Sequence, residues 1–237
     1  LLYQSARQPL KAIVITSSQR GEGRSTVTAN LAFVLAGANR RVVIIDADLR
    51  SPRQHQFFGL PNDCGLTSVL RDEAPVADAL QTTRIPRIQV LTSGPEPAYP
   101  PELLGSERMG QLLTELRGTA DLILLDAPPL EQVADAAILA GIVDGVILVV
   151  QRGRAREGAV IAAIRKLETL QARVVGVVAN QADAADDEPA ESYEVGTSAR
   201  SVVHEQLAPV AIPNGRSARR RQRVAEAASE SSLRGEE

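Results

Sequence analysis

The sequence is poor in the residues on which disulfide-stabilised and membrane-spanning proteins depend. It has one cysteine, Cys64, so it can form no internal disulfide and is suited to a reducing compartment. It has no run of about 18 apolar residues, so no membrane-spanning helix is predicted. Aromatic residues make up only 3% of the chain. Aliphatic side chains must therefore build the core.

Lysine is also scarce, because only Lys11 and Lys166 of the 26 basic residues are lysine. Acidic and basic residues nearly balance at a formal net charge of -3, so the composition gives no reason to expect a nucleic acid partner. The 237 residues are 44% hydrophobic, which is ordinary for a globular protein of one α/β domain or two small ones. The first residue is Leu1 rather than methionine, and we expect the chain to be a piece of a longer protein.

Short, continuously apolar segments along the first 180 residues predict strands, and amphipathic stretches between them predict helices. Strands without a polar face that alternate with helices are typical of a doubly wound, mostly parallel α/β sheet with helices on both faces. The predicted strands are 11–16, 41–46, 87–94, 121–126, 144–150 and 173–180, and the predicted helices are 25–38, 101–116, 133–140 and 157–170.

The last part of the chain has a different character. Residues 181–237 are rich in Ala, Ser, Arg and acidic residues, with an acidic stretch at 182–194 and a basic one at 216–223. Such a segment buries too little apolar surface to offset its ordering entropy. We predict one folded domain at 1–180 and a disordered tail at 181–237. The basic stretch is interpreted as a solvated tail in preference to a contact with an anionic membrane or a partner.

The stretch SSQRGEGRST, residues 17–26, predicts a phosphate-binding loop between the first strand and the first helix. Gly21 and Gly23 allow a backbone path whose N–H groups turn toward a phosphate, and the helix adds its positive N-terminus. A glycine-rich turn alone is a weak signal, but a strand, a glycine turn, a small hydroxyl and a helix in this order predict a nucleotide site. The hydroxyl of Ser25 is placed to ligate Mg²⁺, and Arg24 stands where the usual pattern has lysine.

Polar residues at the ends of other predicted strands favour a metal site there. Asp46 and Asp48 are two residues apart, so in an extended segment both carboxylates lie on one side. Asp126 ends another buried strand, where a Walker B acid would hold Mg²⁺ through water. The alternative is that these acids merely cap the following helices. Asn180, at the end of the last strand, either contacts an adenine edge or only terminates the strand.

Three motifs in order resemble the cytoplasmic catalytic domain of the bacterial tyrosine kinases (BY-kinases), the polysaccharide co-polymerases of capsule and exopolysaccharide synthesis. That family is similar to the MinD/ParA group of P-loop ATPases. TSSQRGEGRST at 16–26 resembles the family's first loop, VIIDADLR at 43–50 its Walker A′ motif, and LLDAPP at 124–129 its Walker B motif. The resemblance runs from about Lys11 to Asn180, and three ordered motifs are highly specific.

The resemblance implies an ATP- and Mg²⁺-dependent protein-tyrosine kinase that regulates polysaccharide biosynthesis and export. Asp46 would activate the attacking tyrosine hydroxyl, with Arg24 and Asp48 as further catalytic residues. Ser25, Asp48 and Asp126 would hold the metal. The residues implied to contact the nucleotide are Ser18, Gly21, Glu22, Gly23, Arg24, Ser25, Thr26 and Asn180.

The resemblance also implies partners and a location. These are a ring-type homo-oligomer and a membrane-embedded chain-length-determinant or activator segment, in the same polypeptide or a separate one. The domain would act at the cytoplasmic face of the bacterial inner membrane, without nucleic acid. In the family, LLY follows an arginine-bearing helix that packs subunits into the ring, and residues 1–3 are expected to be its last turn.

The chain departs from the family pattern in three places. Arg20 replaces a proline at the start of the loop, and Arg24 replaces the lysine. Arginine is a wide planar fork rather than a compact charge, so nucleotide binding can survive where phosphoryl transfer falls. The family's tyrosine cluster is missing. Of Tyr3, Tyr99 and Tyr193, the last is the best acceptor candidate, with a spacer role as the alternative.

Two other functions compete with the kinase. One is a catalytically weak pseudokinase that acts as a nucleotide-sensing scaffold, and the sequence alone does not separate it from an active kinase. The other is a positioning ATPase of the MinD/ParA type. Those ATPases carry an additional lysine near the start of the loop, where this chain has Ser17, Ser18 and Gln19.

Overall fold

The computed structural model describes residues 10–131 and 134–181, in which strands and helices alternate. The strands are β1 Ala12–Ser17, β2 Val42–Asp46, β3 Leu80–Thr82, β4 Ile88–Leu91, β5 Leu122–Asp126, β6 Gly145–Gln151 and β7 Val174–Asn180. The helices are α1 Arg24–Gly37, α2 Gln54–Phe58, α3 Leu66–Leu70, α4 Val76–Ala79, α5 Pro100–Leu104, α6 Glu107–Thr119, α7 Asp135–Ala140 and α8 Glu157–Thr169.

The strands form one sheet in the order β3-β4-β2-β5-β1-β6-β7. Neighbouring strands are parallel except for β3, which runs antiparallel to β4 at the edge. The predicted doubly wound, mostly parallel α/β sheet is confirmed. This strand order brings the carboxyl ends of β1, β2 and β5 together at the centre of the sheet, with Asp46 paired in register with Asp126.

Alternate residues of the central strands pack on opposite faces, and helices cover both. On one face Ile13 and Ile15 pack with Leu35 of α1. On the other face Val14 packs in a cluster that includes Leu112 of α6 and neighbouring helices. Each fully buried aliphatic side chain contributes about 1.5–3 kcal/mol, so this two-sided burial holds the strand ends in place.

The predicted helix over 101–116 is wrong as a single element, because it is divided into α5 and α6 at Gly105 and Ser106. Ser106 is the N-cap of α6, where its hydroxyl accepts a hydrogen bond from the Met109 N–H at 3.4 Å. Such a cap satisfies a donor that a new helix start leaves open. The predicted helix at 133–140 begins at Asp135, and Val133 lies outside the described residues.

The segment between β2 and β4 was not predicted. It holds the short helices α2, α3 and α4 and the three-residue strand β3. Elements of three to five residues are too short to show a periodicity, and β3 depends on its antiparallel pairing with β4. The predictions for residues 1–3 and for the tail beyond Gln181 lie outside the described residues. Within the described parts of the chain, no helix is long and apolar enough to cross a membrane.

Candidate active site

The phosphate loop, residues 18–25, leads from β1 into α1, and its path depends on two glycines. Gly21 and Gly23 have φ angles of 83° and 89°, in the left-handed region that side chains disfavour. A Cβ atom on Gly23 would also overlap Nδ2 of Asn180, whereas a Cβ on Gly21 would have open space around it. Gly23 is therefore required both by its torsion and by the approach of β7.

The buried side chain of Glu22 fastens the phosphate loop to the sheet. Its carboxylate accepts hydrogen bonds from Ser18 Oγ at 2.9 Å, from the Gln19 N–H at 2.7 Å and from the Gln151 N–H at 3.4 Å. Its main-chain carbonyl accepts a bond from Asn180 Nδ2 at 2.9 Å. Of the predicted nucleotide contacts, Ser18 and Asn180 thus both bond to Glu22. The contact of the Asn180 amide with the loop itself was not predicted.

The guanidinium of Arg24 is held at two places. Its Nη2 lies 3.1 Å from Asp48 Oδ2, and its Nη1 donates to Ser17 Oγ at 2.8 Å and to the Gln19 carbonyl at 3.4 Å. The side chains of Arg24 and Asp48 are 10% and 6% exposed. A predicted catalytic cation and a predicted metal ligand therefore form a nearly buried ion pair with each other.

Asp46 and Asp126 are fully buried next to each other at the ends of β2 and β5. Asp46 Oδ2 accepts hydrogen bonds from the N–H groups of Arg53 at 2.9 Å and Gln54 at 2.8 Å, and Asp126 Oδ2 accepts one from Gln54 Nε2 at 2.8 Å. The other oxygen of each carboxylate is buried without a hydrogen-bond partner in the described part of the chain. Buried carboxylate oxygens are costly unless a donor or a cation satisfies them, so the pair fits a bound cation.

The two carboxyl groups hold protons more tightly than ordinary aspartates do. Burial, and then the charge of Asp126, raise the pKa of Asp46 well above its usual range. Burial raises the pKa of Asp126 to about 6, against the opposing effects of hydrogen bonds from Ser25 and Gln54 and of the charge of Arg24. A bound cation would favour the ionised forms of both groups.

The residues at this edge suit Mg²⁺, which prefers oxygen ligands and keeps several waters and substrate oxygens. Gln54 Nε2 donates both to the Ser25 carbonyl and to Asp126 Oδ2, and Asp48 pairs with Arg24, the residue before Ser25, so the three predicted metal ligands lie close together. No group of three or more His, Cys, Asp and Glu residues within 10–131 and 134–181 forms a metal centre by itself.

Other predicted or unforeseen residues surround this centre. Thr26 lies in the first turn of α1. Arg20 donates to Ser51 Oγ at 3.3 Å. Arg50, the last residue of the Walker A′ motif, pairs with Asp135, with Nε to Oδ2 at 3.0 Å. Sequence reasoning missed Asp135, which is fully buried at the start of α7, and Gln54, because neither belongs to a recognised motif.

A polar cavity opens beside the loop and is lined by Gln19, Arg20, Glu22, Glu131, Gln151, Arg154 and Arg156.

Comparison with known sequences agrees with this geometry. The ParA family, described as NUBPL iron-transfer P-loop NTPase, matches residues 9–209. The tyrosine-protein kinase YwqD of Bacillus subtilis (strain 168) is 40% identical over 178 residues, which cover 75% of each chain. The tyrosine-protein kinase CpsD of Streptococcus agalactiae serotype III (strain NEM316) is 35% identical over 172 residues, which cover 72% of this chain and 74% of that one.

Solved structures give the same result. The chimerical protein CapA2B2 superposes with a TM-score of 0.73 at 34% identity, covering 75% of this chain and 79% of that one. The kinase domain of the Escherichia coli tyrosine kinase ETK superposes with a TM-score of 0.72 at 29% identity, covering 78% and 74%. The chain therefore belongs to the bacterial tyrosine kinases, a branch of the ParA- and MinD-like P-loop NTPases.

Proposed function

We propose that this chain is an ATP-dependent protein-tyrosine kinase domain that regulates the biosynthesis and export of a capsular polysaccharide or exopolysaccharide. P-loop NTPases bind a nucleotide, generally with Mg²⁺. The observation that carries the proposal is the meeting of the phosphate loop with the buried pair Asp46 and Asp126, each of which keeps one carboxylate oxygen without a hydrogen-bond partner among the described residues.

Each part of the site has a role in this proposal. The N–H groups of residues 21–26 and the N-terminus of α1 receive the phosphates, and Arg24 supplies positive charge beside them. Ser25, Asp48 and Asp126 hold Mg²⁺, which when bound neutralises charge on the phosphates. Asn180 lies against Gly23 and borders the nucleotide site.

In the proposed transfer step, Asp46 is the proton acceptor. The tyrosine Oη attacks the γ-phosphorus of ATP, the bond from that phosphorus to the bridging oxygen breaks, and ADP leaves. The proton of the tyrosine hydroxyl passes to Asp46, whose Oδ1 has no hydrogen-bond partner in the described part of the chain. Burial beside Asp126 raises the pKa of Asp46, which suits a group that takes up a proton.

The proposed acceptor is Tyr193, which lies outside the described residues. Tyr99 is the alternative, since it is 67% exposed. Incorporation of ³²P into Tyr193→Phe and Tyr99→Phe variants separates the two.

The test measures nucleotide binding and phosphate transfer side by side. A fluorescent ATP analogue is titrated with and without Mg²⁺ by anisotropy, and ³²P incorporation is followed in the same samples. We expect Asp126→Ala to remove both the Mg²⁺ dependence of binding and the transfer, and Asp46→Ala to remove the transfer, whereas Asp63→Ala, an exposed acid, leaves both unchanged. No saturable binding at millimolar nucleotide would refute the proposal, and a wild-type Mg²⁺ response in Asp126→Ala would refute the metal assignment.

A nucleotide-sensing scaffold is the second candidate, and one observation favours it. Arg24 and Asp48 neutralise each other at 3.1 Å, so a cation and a metal ligand are both engaged before any substrate binds. Saturable ATP binding without ³²P incorporation would favour the scaffold. A MinD/ParA-type positioning role receives less support, because the sequence relatives reported above are tyrosine kinases.

By its family membership, we also propose that the domain forms a ring-type homo-oligomer without nucleic acid. Its proposed partner is a membrane-embedded chain-length-determinant or activator segment, at the cytoplasmic face of the bacterial inner membrane. Native mass spectrometry of the chain, alone and with the cytoplasmic segment of such a protein, checks the oligomer and the partner. A monomer under both conditions would contradict this part of the proposal.

A further inference from the structure

Gln54 contacts all three nucleotide motifs although it belongs to none of them. It is the first residue of α2 and is fully buried. Its main-chain N–H donates to Asp46 Oδ2 at 2.8 Å. Its side-chain Nε2 donates to Asp126 Oδ2 at 2.8 Å and to the main-chain carbonyl of Ser25 at 3.1 Å. The Walker A′ carboxylate, the Walker B carboxylate and the start of α1 therefore meet at this one residue.

The hydrogen bonds of the buried Gln54 side chain indicate a specific contact. A primary amide has two N–H donors, and Nε2 contacts two acceptors at this site. The nearby Gln56, on the same short helix, is exposed, and its Oε1 accepts a hydrogen bond from Arg53 Nη1 at 3.4 Å. Burying a long amide loses hydration and side-chain freedom. A helix of five residues thus directs one glutamine inward and leaves the other at the surface.

We infer that Gln54 is a positioning residue that sets the Walker B carboxylate against the phosphate loop. By donating to Asp126 Oδ2 it leaves Oδ1 as the oxygen without a hydrogen-bond partner in the described chain. By donating to the Ser25 carbonyl it fixes the first turn of α1, which carries the Ser25 hydroxyl that is proposed to ligate the metal. This inference rests on the proposed function, since its consequence is the geometry of the metal site.

The expected effect of losing the Gln54 amide is specific to metal binding. Loss of the amide frees Asp126 to rotate, so its ligating oxygen is no longer held for a cation. The phosphate cradle of residues 21–26 is built from main-chain groups and does not depend on the amide. Gln54 should therefore affect how much Mg²⁺ strengthens nucleotide binding, and have little effect on binding without metal.

The experiment uses the full chain and two substitutions of nearly equal size. Gln54→Met keeps the length of the side chain and removes both N–H donors. Gln54→Glu replaces the amide by a carboxyl group, the third beside those of Asp46 and Asp126. Gln56→Met, on the exposed part of the same helix, is the matched control. Affinity for a fluorescent ATP analogue is measured with Mg²⁺ and with EDTA, and the melting temperature is recorded for each variant.

We expect Gln54→Met to reduce the Mg²⁺ enhancement of affinity about tenfold, the scale of one hydrogen bond to a charged group. Affinity in EDTA should stay within about twofold of the wild type on the same scale, and Gln56→Met should behave as the wild type. Gln54→Glu should reduce the enhancement as well, because its carboxylate cannot donate to Asp126. A Gln54→Met variant with a lower melting temperature and an unchanged Mg²⁺ enhancement would overturn the inference, as would an equal loss with and without Mg²⁺.

A second readout needs no nucleotide. Mn²⁺ binding to the nucleotide-free protein is measured by electron paramagnetic resonance for the wild type and the same three variants. Mn²⁺ binding that weakens in Gln54→Met supports the inference even if the wild type binds no nucleotide, in which case the proposed function alone has failed. Unchanged Mn²⁺ affinity in Gln54→Met, or a wild type that binds neither probe, would overturn the inference.

Discussion

Arg24 is where this chain departs from a phosphate loop with lysine, and the structure shows how the guanidinium is accommodated. One terminal nitrogen faces Asp48 and the other faces Ser17. A lysine ammonium is a single compact charge and cannot bridge both groups in this way. The arginine is therefore held by the protein itself in the place where a lysine would reach for the β- and γ-phosphates.

We expect Arg24→Lys to raise phosphoryl transfer much more than ATP affinity. The charge is unchanged, so attraction to the triphosphate is unchanged, whereas a lysine freed from Asp48 can follow the transferring phosphate. One well-placed donor in a transition state contributes about 10²–10³ in rate. ATP turnover and tyrosine phosphorylation are compared in both forms, with Arg165→Lys on the exposed face of α8 as the control. Equal, substantial activity in both would show that arginine is an adequate substitute, and ATP binding without activity in either would support the scaffold.

The buried carboxyl group of Asp126 gives the nucleotide-free protein a pH-dependent stability. Its pKa is raised to about 6 from 3.8 by burial, so folding favours the protonated form. The raised pKa contributes roughly 3 kcal/mol to the free energy of unfolding. This contribution is complete below about pH 4 and is lost as the pH rises through about 6. On the order of 1 kcal/mol of it falls between about pH 5 and about pH 7.5. Asp46 acts in the same direction, because its pKa is also raised.

Urea unfolding in EDTA measures this effect. We expect the wild type to be less stable at about pH 7.5 than at about pH 5, and Asp126→Asn to be more stable than the wild type at the higher pH, because a neutral amide replaces a buried charge. Asp78→Asn, an exposed acid on α4, should keep the wild-type profile. A wild-type stability that rises over this interval would contradict the raised pKa of Asp126.

At the scale of elements, the phosphate loop and the end of β7 behave as one unit. The Asn180 amide bonds the Glu22 carbonyl, and it also occupies the space that a side chain at Gly23 would need. Gly21 has nearly the same φ angle as Gly23 but open space around it. The two glycines therefore separate the effect of torsion from the effect of contact with β7.

We expect Gly21→Ala to lower the free energy of unfolding by about 1 kcal/mol, the cost of a left-handed alanine. Gly23→Ala should lower it by more, because its methyl group overlaps the Asn180 amide. In an Asn180→Ala background the cost of Gly23→Ala should fall by about 1 kcal/mol or more, which a double-mutant cycle in urea measures. Equal costs for the two glycines, or no coupling to Asn180, would contradict the close approach.

At the scale of the whole molecule, the seven-stranded sheet places the candidate site at its centre. The carboxyl ends of β1, β2 and β5 carry the phosphate loop and the acids, and β6 and β7 fasten the loop from one side. The central strands are almost wholly inaccessible to solvent, and their burial stabilises the sheet. β7 is a partly exposed edge strand that joins the sheet through its pairing with β6, and folding should require this pairing but not the tail.

We expect a chain that ends at Ala182 to melt within about 2 °C of the full chain, because the composition of the tail gives it little apolar surface to bury. A chain that ends at Leu170 lacks β7 and is the contrasting control, which should lose cooperative unfolding. Thermal unfolding followed by circular dichroism checks both. A fall of about 5 °C or more, roughly 1–2 kcal/mol at this size, on removing the tail alone would show that it packs on the domain.

Much of the fold and part of the candidate site could be predicted from the sequence. Buried parallel strands have no polar face, so runs such as 42–46 and 122–126 are visible as continuous apolar segments. Such strands end abruptly in polar residues, which is why Asp46 and Asp126 stood out. The short elements between β2 and β4 could not be predicted, because a five-residue helix has no measurable period.

The sequence by itself determined which residues end the strands and which chemistry their side chains can perform. Only the tertiary structure decided which of them touch: Asp46 beside Asp126, Arg24 on Asp48, Asn180 on the phosphate loop, and Gln54 between the motifs. The physical reason is that hydrophobicity and its periodicity are local properties of the chain. The order of strands in a sheet is set by packing between segments far apart in sequence, and it is this order that brings two buried carboxylates within reach of one amide.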